Sequence, residues 1–311
     1  MDKFKIILDC DPGHDDAIAI MLAGKADEID LLGVTVVAGN QTLDKTSKNA
    51  LRVCEYLDLD VPVYSGCGQP MVRDKQVVSP EIHGETGLDG PNFGILKRRV
   101  EEKHGVQFII DTLMASDGDI TLVATGPLTN LAMAMRMNPK IIEKIKQIVI
   151  MGGSFQLGNV TPAAEFNILA DGEAAHVIFS CGRKVVMVGL DVTRKVLCYP
   201  NIIERMKKIE NNASKLFEDL MMFFNKTQRK VFGWDGGPLH DPVTIAYLID
   251  QSVLVTKSMY TEVDIRSTQS YGRTNCDFFG FCEKEPNAEI AVEIDVEKFW
   301  NIVEKQICKY S

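Results

Sequence analysis

The sequence lacks the features that assign a chain to several large classes of protein. It contains no run of about 18 apolar residues, the length that a membrane-spanning helix needs. Its N-terminus has no basic segment followed by an apolar stretch and a small-residue cleavage site, so we expect no signal peptide. The net charge is −9, and no Lys/Arg block is long enough to bind a nucleic acid backbone. We therefore expect neither a membrane nor a nucleic acid partner.

The cysteines and histidines also lack the spacing of redox or zinc motifs. The eight cysteines are scattered without a CxxC pair, and most lie in apolar runs where reduced, buried thiols are expected, which favours a cytoplasmic protein. The five histidines show no HExxH spacing. Neither GxxxxGK(S/T) nor GxGxxG occurs between a strand and a helix, so the usual nucleotide fingerprints are missing.

What the sequence does contain is an alternation of apolar, strand-like runs and helical patterns. FKIILD leads to DDAIAIMLAG and DITLVATG to LTNLAMAMRM, and the runs KQIVIMGG and KVVMVGLD follow. Near-continuous apolar strands separated by helices indicate a parallel sheet covered on both faces. We predict an α/β fold with an open, mostly parallel, Rossmann-like central sheet flanked by helices, in a single domain over residues 1–311.

Three further segments carry predictions of their own. Residues 201–230 are typical of a helix, broken at Asn211 and Asn212. The tail returns to strands in MYTEVDI and EIAVEIDV and ends in a helix, EKFWNIVEKQICK. Residues 66–97 have little periodicity, and long loops of this kind in compact domains are usually functional or disordered. We predict that this segment is a mobile flap beside the site.

Polar side chains follow the predicted strands at their carboxyl ends. They are Asp9, Asp11, Asp15 and Asp16 after FKIIL, Asn40 after VTVVAG, Thr125 after LVA, Ser154 after IVIMGG and Asp191 after VVMVGL. Ligands of open parallel sheets bind outside the carboxyl ends of the strands, so we expect these residues to meet at one site. Clustered carboxylates near glycine-turn carbonyls suit Ca²⁺ or Mg²⁺. The alternative is that Asp15 or Asp16 only caps the first helix.

Two later segments add candidate residues. In LHDP, Asp241 is either a helix N-cap before Pro242 or a functional carboxylate beside His240, a possible proton donor. Asn159, Glu165 and Asn167, in and before AEFN, offer acceptors and amide donors without a positive charge. That set suits sugar hydroxyls and would repel a phosphate, so a nucleoside-like ligand fits better than a nucleotide.

Eight segments in order resemble the nucleoside hydrolases, which cleave the N-glycosidic bond of ribonucleosides. They are DCDPGHDDAIAI, VVAGNQT, IHGETG, ATGPLTNLAMAMR, MGGSF, AEFNI, MVGLDVT and LHDP, and they extend over nearly the whole chain. The resemblance is greatest to the inosine–uridine and pyrimidine-preferring branch. It implies an α/β fold, one bound Ca²⁺ per subunit and a homodimer or homotetramer. It also implies uridine, cytidine or inosine as substrate, with ribose and free base as products.

The resemblance also implies roles for individual residues. The metal ligands would be Asp11, Asp16, the backbone carbonyl of Thr125, and Asp241. Residues around the ribose would be Asp15, Asn40, Met151, Asn159, Glu165, Phe166 and Asn167. His83, His240 and Gln228 would lie near the nucleobase. Asp11 would act as general base in direct attack by water, with His240 as candidate acid. Phe232 stands where some pyrimidine-preferring members have a tyrosine, which leaves the base preference open.

Two other functions are compatible with parts of the sequence. Haloacid-dehalogenase-like phosphatases also begin with a strand and DxD and use Mg²⁺, with Asp9 then the nucleophile and Asp11 the acid. They usually continue DGT, however, and Gly13 stands where a hydroxyl residue is expected. A non-catalytic nucleoside- or ribose-binding protein would keep the pocket but would not need Asp11 as a base.

Overall fold

The computed structural model describes residues 3–310, so the first two residues and the last residue of the predicted domain lie outside it. The strands are β1 Phe4–Cys10, β2 Ile29–Val36, β3 Val63–Ser65, β4 Ile120–Ala124, β5 Ile145–Met151, β6 Val185–Val188, β7 Leu197–Cys198, β8 Gly237–Pro238, β9 Leu254–Met259, β10 Thr261–Val263, β11 Thr274–Cys276 and β12 Ala288–Ile294. The α-helices are α1 His14–Lys25, α2 Leu43–Tyr56, α3 Pro80–His83, α4 Gly105–Met114, α5 Thr129–Met137, α6 Phe166–Ala170, α7 Gly172–Phe179, α8 Leu190–Thr193, α9 Pro200–Lys207, α10 Asn212–Phe232, α11 Pro242–Ile249 and α12 Val296–Ile307. Short 3₁₀ helices span Pro139–Lys144 and Gln251–Val253.

Eight strands form the central sheet, in the order β3-β2-β1-β4-β5-β6-β12-β9. All neighbours pair in parallel except β12 and β9, which pair antiparallel at one edge. The predicted open, mostly parallel sheet is therefore confirmed. The chain order reverses at β1 and β4, and in doubly wound sheets the crevice beside such a reversal is where ligands bind.

The strand sequences explain why both faces of the sheet are covered. In β1, Ile6 and Leu8 pack into one apolar core while Ile7 packs into a second core. Successive side chains of a strand point to opposite faces, so an unbroken apolar run buries both. The first core includes residues of α1, α2, α10, α11 and α12, and the second includes residues of α4, α5 and α7.

The helix predicted over residues 201–230 is confirmed as two helices, with the break at the expected place. α9 ends at Lys207 and α10 begins at Asn212. The side chain of Asn211 caps α10 by accepting a hydrogen bond from the Ser214 backbone N–H at 2.8 Å. An asparagine at an N-cap satisfies one of the free N–H groups of a new helix, which explains why the chain starts a second helix here.

The strand predicted at MYTEVDI is only partly right. β9 begins earlier, at Leu254, and ends at Met259, and β10 belongs to a separate two-stranded sheet with β11. Beyond Met259 the chain leaves the central sheet, and the Thr261 N–H donates to the Asn287 side chain at 2.7 Å instead of to a sheet partner. This side-chain contact comes from a distant segment, so local periodicity did not reveal it.

Residues 66–97 contain little regular structure apart from α3. The segment is nevertheless attached to the main body: Thr227 of α10 donates to the Ile82 carbonyl at 2.8 Å, and Gln41 donates to the Gly84 carbonyl at 3.1 Å.

All eight cysteines are free thiols. Within residues 3–310, no helix combines the length and apolar character that crossing a membrane requires.

Candidate active site

The four aspartates that follow β1 are all buried, but they do not act as one group. Asp9 accepts hydrogen bonds from Thr35 Oγ1 at 2.5 Å and from Asn130 Nδ2 at 2.7 Å. It therefore joins β1 to β2 and α5, and burial raises the pKa of its carboxyl to about 7. The cavity lining includes Asp15 and Asp241 but not Asp9, Asp11 or Asp16, and Thr35 and Asn130 both bind one oxygen of Asp9.

Three other carboxylates converge from two helix N-termini. Asp15 and Asp16 lie in the first turn of α1 and Asp241 directly precedes α11, and one carboxylate oxygen of each lies within 4.8 Å of the other two. Asp241 occupies the N-cap position, but its side chain makes no capping hydrogen bond. Asp16 does accept the Gly13 N–H at 3.0 Å, so capping accounts for part of its role. Capping does not explain Asp241.

The electrostatics of this cluster are unfavourable without a cation. Burial and the neighbouring Asp15 and Asp16 raise the pKa of Asp241 well above its usual range. Burial and Asp16 likewise raise the pKa of Asp15 to about 7. Within residues 3–310, Arg194 is the only lysine or arginine that lines the adjacent cavity. Buried carboxylates that lack a basic partner either take up protons or bind a metal ion, and an all-oxygen donor set suits a hard divalent cation.

Thr125, which directly follows β4, faces the same cluster. Its Oγ1 donates to Asp16 Oδ1 at 2.8 Å. Its backbone carbonyl accepts a hydrogen bond from Asn167 Nδ2 at 2.8 Å. The residues after β1 and β4, which the topology places side by side, are therefore in direct contact with the carboxylates. The strand-end pattern predicted this meeting of Asp16 and Thr125, but it also included Asp9, Ser154 and Asp191, which do not line the cavity.

The Asp11 carboxylate lies beside the three-carboxylate cluster and packs closely against the backbone at Gly39 and Gly126. Its Oδ2 accepts the Asn40 N–H at 2.6 Å, while its Oδ1 is buried without a hydrogen-bond partner in the described chain. A Cβ added at Gly39 would lie 2.0 Å from Oδ2, and one added at Gly126 would lie 2.5 Å from Oδ1. Glycine is therefore required at both positions. An unpartnered, buried carboxylate oxygen is available to a cation or to a water molecule.

The predicted ribose residues lie together at the next part of the cavity. Glu165 caps α6 and accepts backbone N–H groups from Asn167 at 2.9 Å, Gly153 at 3.0 Å and Ile168 at 3.1 Å. Asn167 Nδ2 also donates to the Met151 carbonyl at 3.0 Å. The cavity has a volume of 530 Å³, and the lining includes Asp15, Asn40, Met151, Asn159, Glu165, Phe166 and Asn167. The structure thus brings the whole predicted ribose set to one cavity.

The predicted nucleobase residues line the same cavity. His240 Nδ1 lies 2.7 Å from Thr193 Oγ1, and burial lowers the pKa of His240 to about 3, so its ring is neutral at pH 7. His83 Nδ1 lies 3.2 Å from His14 Nδ1, and burial lowers the pKa of His83 well below its usual range. Gln228 is buried, and its Oε1 has no partner among residues 3–310. This side of the cavity offers neutral polar groups.

Sequence reasoning missed three residues that hold these groups in place. His14 contacts His83 and places its Nε2 2.8 Å from the Asp89 carbonyl. Thr193 contacts His240, and Arg194 lines the cavity. His14 lies within the GHDD stretch and Thr193 within LDVT, so both are in motifs that the sequence analysis quoted. Their contacts, however, join segments far apart in the chain and have no local signal.

Comparisons with known proteins agree with this geometry. The family model described as "Inosine-uridine preferring nucleoside hydrolase" matches residues 6–301. The pyrimidine-specific ribonucleoside hydrolase RihB of Escherichia coli O17:K52:H18 is 56% identical over 310 residues, covering 100% of this chain and 99% of that protein. The structure of a purine-preferring ribonucleoside hydrolase from Gardnerella vaginalis has a TM-score of 0.92 at 32% identity, covering 98% of each chain. A plant nucleoside hydrolase structure has a TM-score of 0.90 at 31% identity, covering 98% of this chain and 99% of that one. The fold, the carboxylate cluster and the full-length match have one explanation: the chain belongs to the inosine-uridine preferring nucleoside hydrolase family.

Proposed function

We propose that this chain hydrolyses the N-glycosidic bond of pyrimidine ribonucleosides, uridine and cytidine above all, with inosine as a further substrate. The products are ribose and the free base. The observation that carries the proposal is the cluster of buried carboxylates beside a 530 Å³ cavity, in a chain that matches the nucleoside hydrolase family over residues 6–301. The pyrimidine preference is supported by the 56% identity to a pyrimidine-specific relative over the full chain.

Asp11, Asp16, Asp241 and the carbonyl of Thr125 would hold a divalent cation, with Ca²⁺ favoured over Mg²⁺. The fit rests on the unpartnered Asp11 Oδ1, the close carboxylates and the all-oxygen donor set. When bound, such an ion would act as a Lewis acid that lowers the pKa of the attacking water and orients the sugar hydroxyls. Asp15 belongs to the same three-carboxylate cluster and lines the cavity, so it would contact either the ion or the ribose.

Asp11 would accept the proton of the attacking water. The Asn40 N–H binds its Oδ2 at 2.6 Å and so holds the carboxylate in one orientation for proton transfer. As the base departs, positive charge develops on the ribose ring, in a transition state that resembles an oxocarbenium ion. The surrounding carboxylates, Asp15 and Glu165 among them, would stabilise that charge. Water attacks directly, so no covalent intermediate with the protein is required.

His83, His240 and Gln228 would contact the departing base. The neutral rings of the two histidines have one N–H and one acceptor nitrogen each, so they suit hydrogen bonds to a neutral base better than charge pairing. Phe232 and Trp234 also line this part of the cavity, with ring centroids 4.9 Å apart. Phe232 carries no hydroxyl and cannot donate a proton, and His240 would act as the acid only after taking up a proton against its lowered pKa.

The chain would form one domain, since the strands of a single eight-stranded sheet extend along the chain from β1, which begins at Phe4, to β12, which ends at Ile294. Residues 66–97 would act as a flap over the cavity, which His83 lines.

Phe279 and Phe281 are 75% and 82% exposed, and such exposed aromatic side chains support the expected homodimer or homotetramer. The eight free thiols support the cytoplasm as its location.

The proposed reaction is tested by incubating the protein with uridine, cytidine, inosine and adenosine and measuring release of reducing sugar. We expect release from the pyrimidine nucleosides that stops with a calcium chelator and returns when Ca²⁺ is restored. No release from any nucleoside would contradict the proposal. The Asp11→Asn variant separates catalysis from binding: we expect uridine to bind, measured by calorimetry, while turnover falls by about 10²–10⁴-fold. Unchanged turnover would remove Asp11 as the base.

A further inference from the structure

Among residues 3–310, Arg194 is the one cavity-lining residue whose charge is opposite to that of the carboxylates. It directly follows α8 and is partly buried. Its guanidinium does not pair with a carboxylate in the described chain. It donates instead to two successive backbone carbonyls, those of Leu157 at 3.1 Å and Gly158 at 2.5 Å. A planar fork of donors matches two neighbouring acceptors, a geometry that lysine cannot reproduce.

The carbonyls that Arg194 binds belong to residues 152–164, which we call the site loop. This loop runs from the end of β5 to Glu165 and carries Asn159, which lines the cavity. Asp191 of α8 holds the start of the loop, accepting Ser154 Oγ at 3.1 Å and the Phe155 N–H at 2.8 Å. Residues 191–194 therefore hold the site loop at two points, at Ser154 and Phe155 through Asp191 and at Leu157 and Gly158 through Arg194.

The far part of the site loop has few other attachments. Leu157 is 63% exposed, so this stretch lies at the surface. Within the loop, the Gly158 N–H donates to the Pro162 carbonyl at 3.2 Å and the Asn159 N–H donates to the Ala164 carbonyl at 3.1 Å. These bonds shape the loop but do not tie it to the sheet. Two contacts tie the stretch around Asn159 to the rest of the protein: the Phe166 N–H of α6 donates to Asn159 Oδ1 at 2.9 Å, and Arg194 binds the carbonyls of Leu157 and Gly158.

We propose that Arg194 is a positioning residue that holds the site loop against the cavity, so that Asn159 and Glu165 are in place for the ribose before substrate binds. This inference rests on the proposed function, because it assigns the site loop to the ribose side of a nucleoside hydrolase. Arg194 acts through backbone carbonyls and touches no reacting atom. Holding the loop in advance removes an ordering cost from substrate binding and keeps the sugar aligned for attack.

A double-mutant cycle with Asn159 tests this role. We expect Arg194→Ala to lower kcat/KM for uridine by about 10- to 100-fold, and Arg194→Lys to retain part of the activity because one donor remains. In the Asn159→Ala background, the same Arg194→Ala change should cost about threefold or less, since the residue through which it acts is gone. Lys195→Ala, which removes the adjacent exposed cation, is the matched control and should match wild type.

Two kinetic results would overturn the proposal. One is a wild-type kcat/KM in Arg194→Ala. The other is an equal loss in both backgrounds, which would mean that Arg194 acts independently of Asn159. If Arg194→Ala does not fold, Arg194→Lys takes its place in the cycle, with a smaller expected loss and the same requirement for non-additivity.

Hydrogen exchange gives a readout that needs no substrate turnover. Without substrate, we expect the backbone amides of residues 155–161 to exchange at least about tenfold faster in Arg194→Ala than in wild type or Lys195→Ala, while amides of β1 and β4 stay unchanged. Unchanged exchange in the site loop would refute the inference. If wild type releases no ribose, the proposed function fails, yet the exchange result still decides whether Arg194 holds the loop.

Discussion

Replacing Asp241 with asparagine should stabilise this protein in the absence of a divalent cation and remove most of the stabilisation that the cation provides. Asp241, Asp15 and Asp16 have carboxylate oxygens within 4.8 Å of one another, and all three are buried. Without an ion, two or three negative charges share this space or must take up protons. An asparagine at position 241 removes one charge and supplies an amide donor to its neighbours. In the presence of the ion, the same change removes a ligand.

The structure sets the size of the effect. Two unit charges 4.8 Å apart repel by about 3–4 kcal/mol at an effective dielectric constant near 20. Protonation relieves much of this, because repulsion and burial raise the pKa values of Asp15 and Asp241. We expect a net gain of about 1–3 kcal/mol for Asp241→Asn in chelator, which raises Tm by about 2–6 °C. Wild type should gain about 2–3 kcal/mol from the cation at a hundredfold excess over Kd, and the variant much less.

Thermal melts of both proteins in chelator and in Ca²⁺ measure these shifts. Asp117→Asn, at an exposed site with the same chemical change, is the control and should melt like wild type under both conditions. The reasoning fails if Asp241→Asn melts lower than wild type in chelator and still gains the full wild-type increment from Ca²⁺. That outcome would mean that Asp241 is neither repelled by its neighbours nor a ligand.

Three further substitutions test other parts of the site. Gly126→Ala places a Cβ 2.5 Å from Asp11 Oδ1, so we expect turnover below about 1% of wild type and a free energy of unfolding in urea lower by about 2 kcal/mol or more. Gly68→Ala is the control: its added Cβ would lie 3.6 Å from the nearest atom, so both quantities should be nearly unchanged. His240→Ala should reduce uridine hydrolysis by about 10²-fold or more but spare p-nitrophenyl riboside, whose leaving group needs no proton; equal losses would remove His240 as the acid. Phe232→Tyr adds a hydroxyl at the cavity and should raise kcat for uridine by about threefold or more with p-nitrophenyl riboside unchanged, and a lower kcat for uridine would argue against a missing donor.

Strand ends were the most informative part of the sequence. Apolar runs identified β1 and β4, and parallel pairing brings their carboxyl ends together, so Asp11 and Thr125 were predicted to share a site before any contact was known. The break at Asn211 was readable for a similar reason, because capping is a local property. Features governed by nearest neighbours in the chain, or by the topology of a parallel sheet, were therefore predictable.

Features that depend on contacts between distant parts of the chain could not be predicted from the sequence. Asp9 looked equivalent to Asp11, two residues away, yet Thr35 and Asn130 bind it outside the cavity. The absence of lysine and arginine near AEFN suggested a site without cations, but the fold brings Arg194 into the lining from another segment. In both cases the deciding partner lies at least 26 residues away, and no periodicity records such a pairing.

The two sides of the cavity are built from different kinds of structure. The side proposed for the sugar includes Asp15 of α1 and Thr125 after β4, and Gly39 and Gly126 leave no room for a side chain beside Asp11, so a substitution at either glycine displaces it. The opposite side includes the last turns of α10 and the residues after it, where Val231 and Phe232 are 42% and 44% exposed. Side chains substituted at Val231 or Phe232 would extend into solvent and would not disturb a packed core. Descendants of this enzyme, natural or engineered, can thus exchange one aglycone for another while the hydrolytic machinery stays as it is.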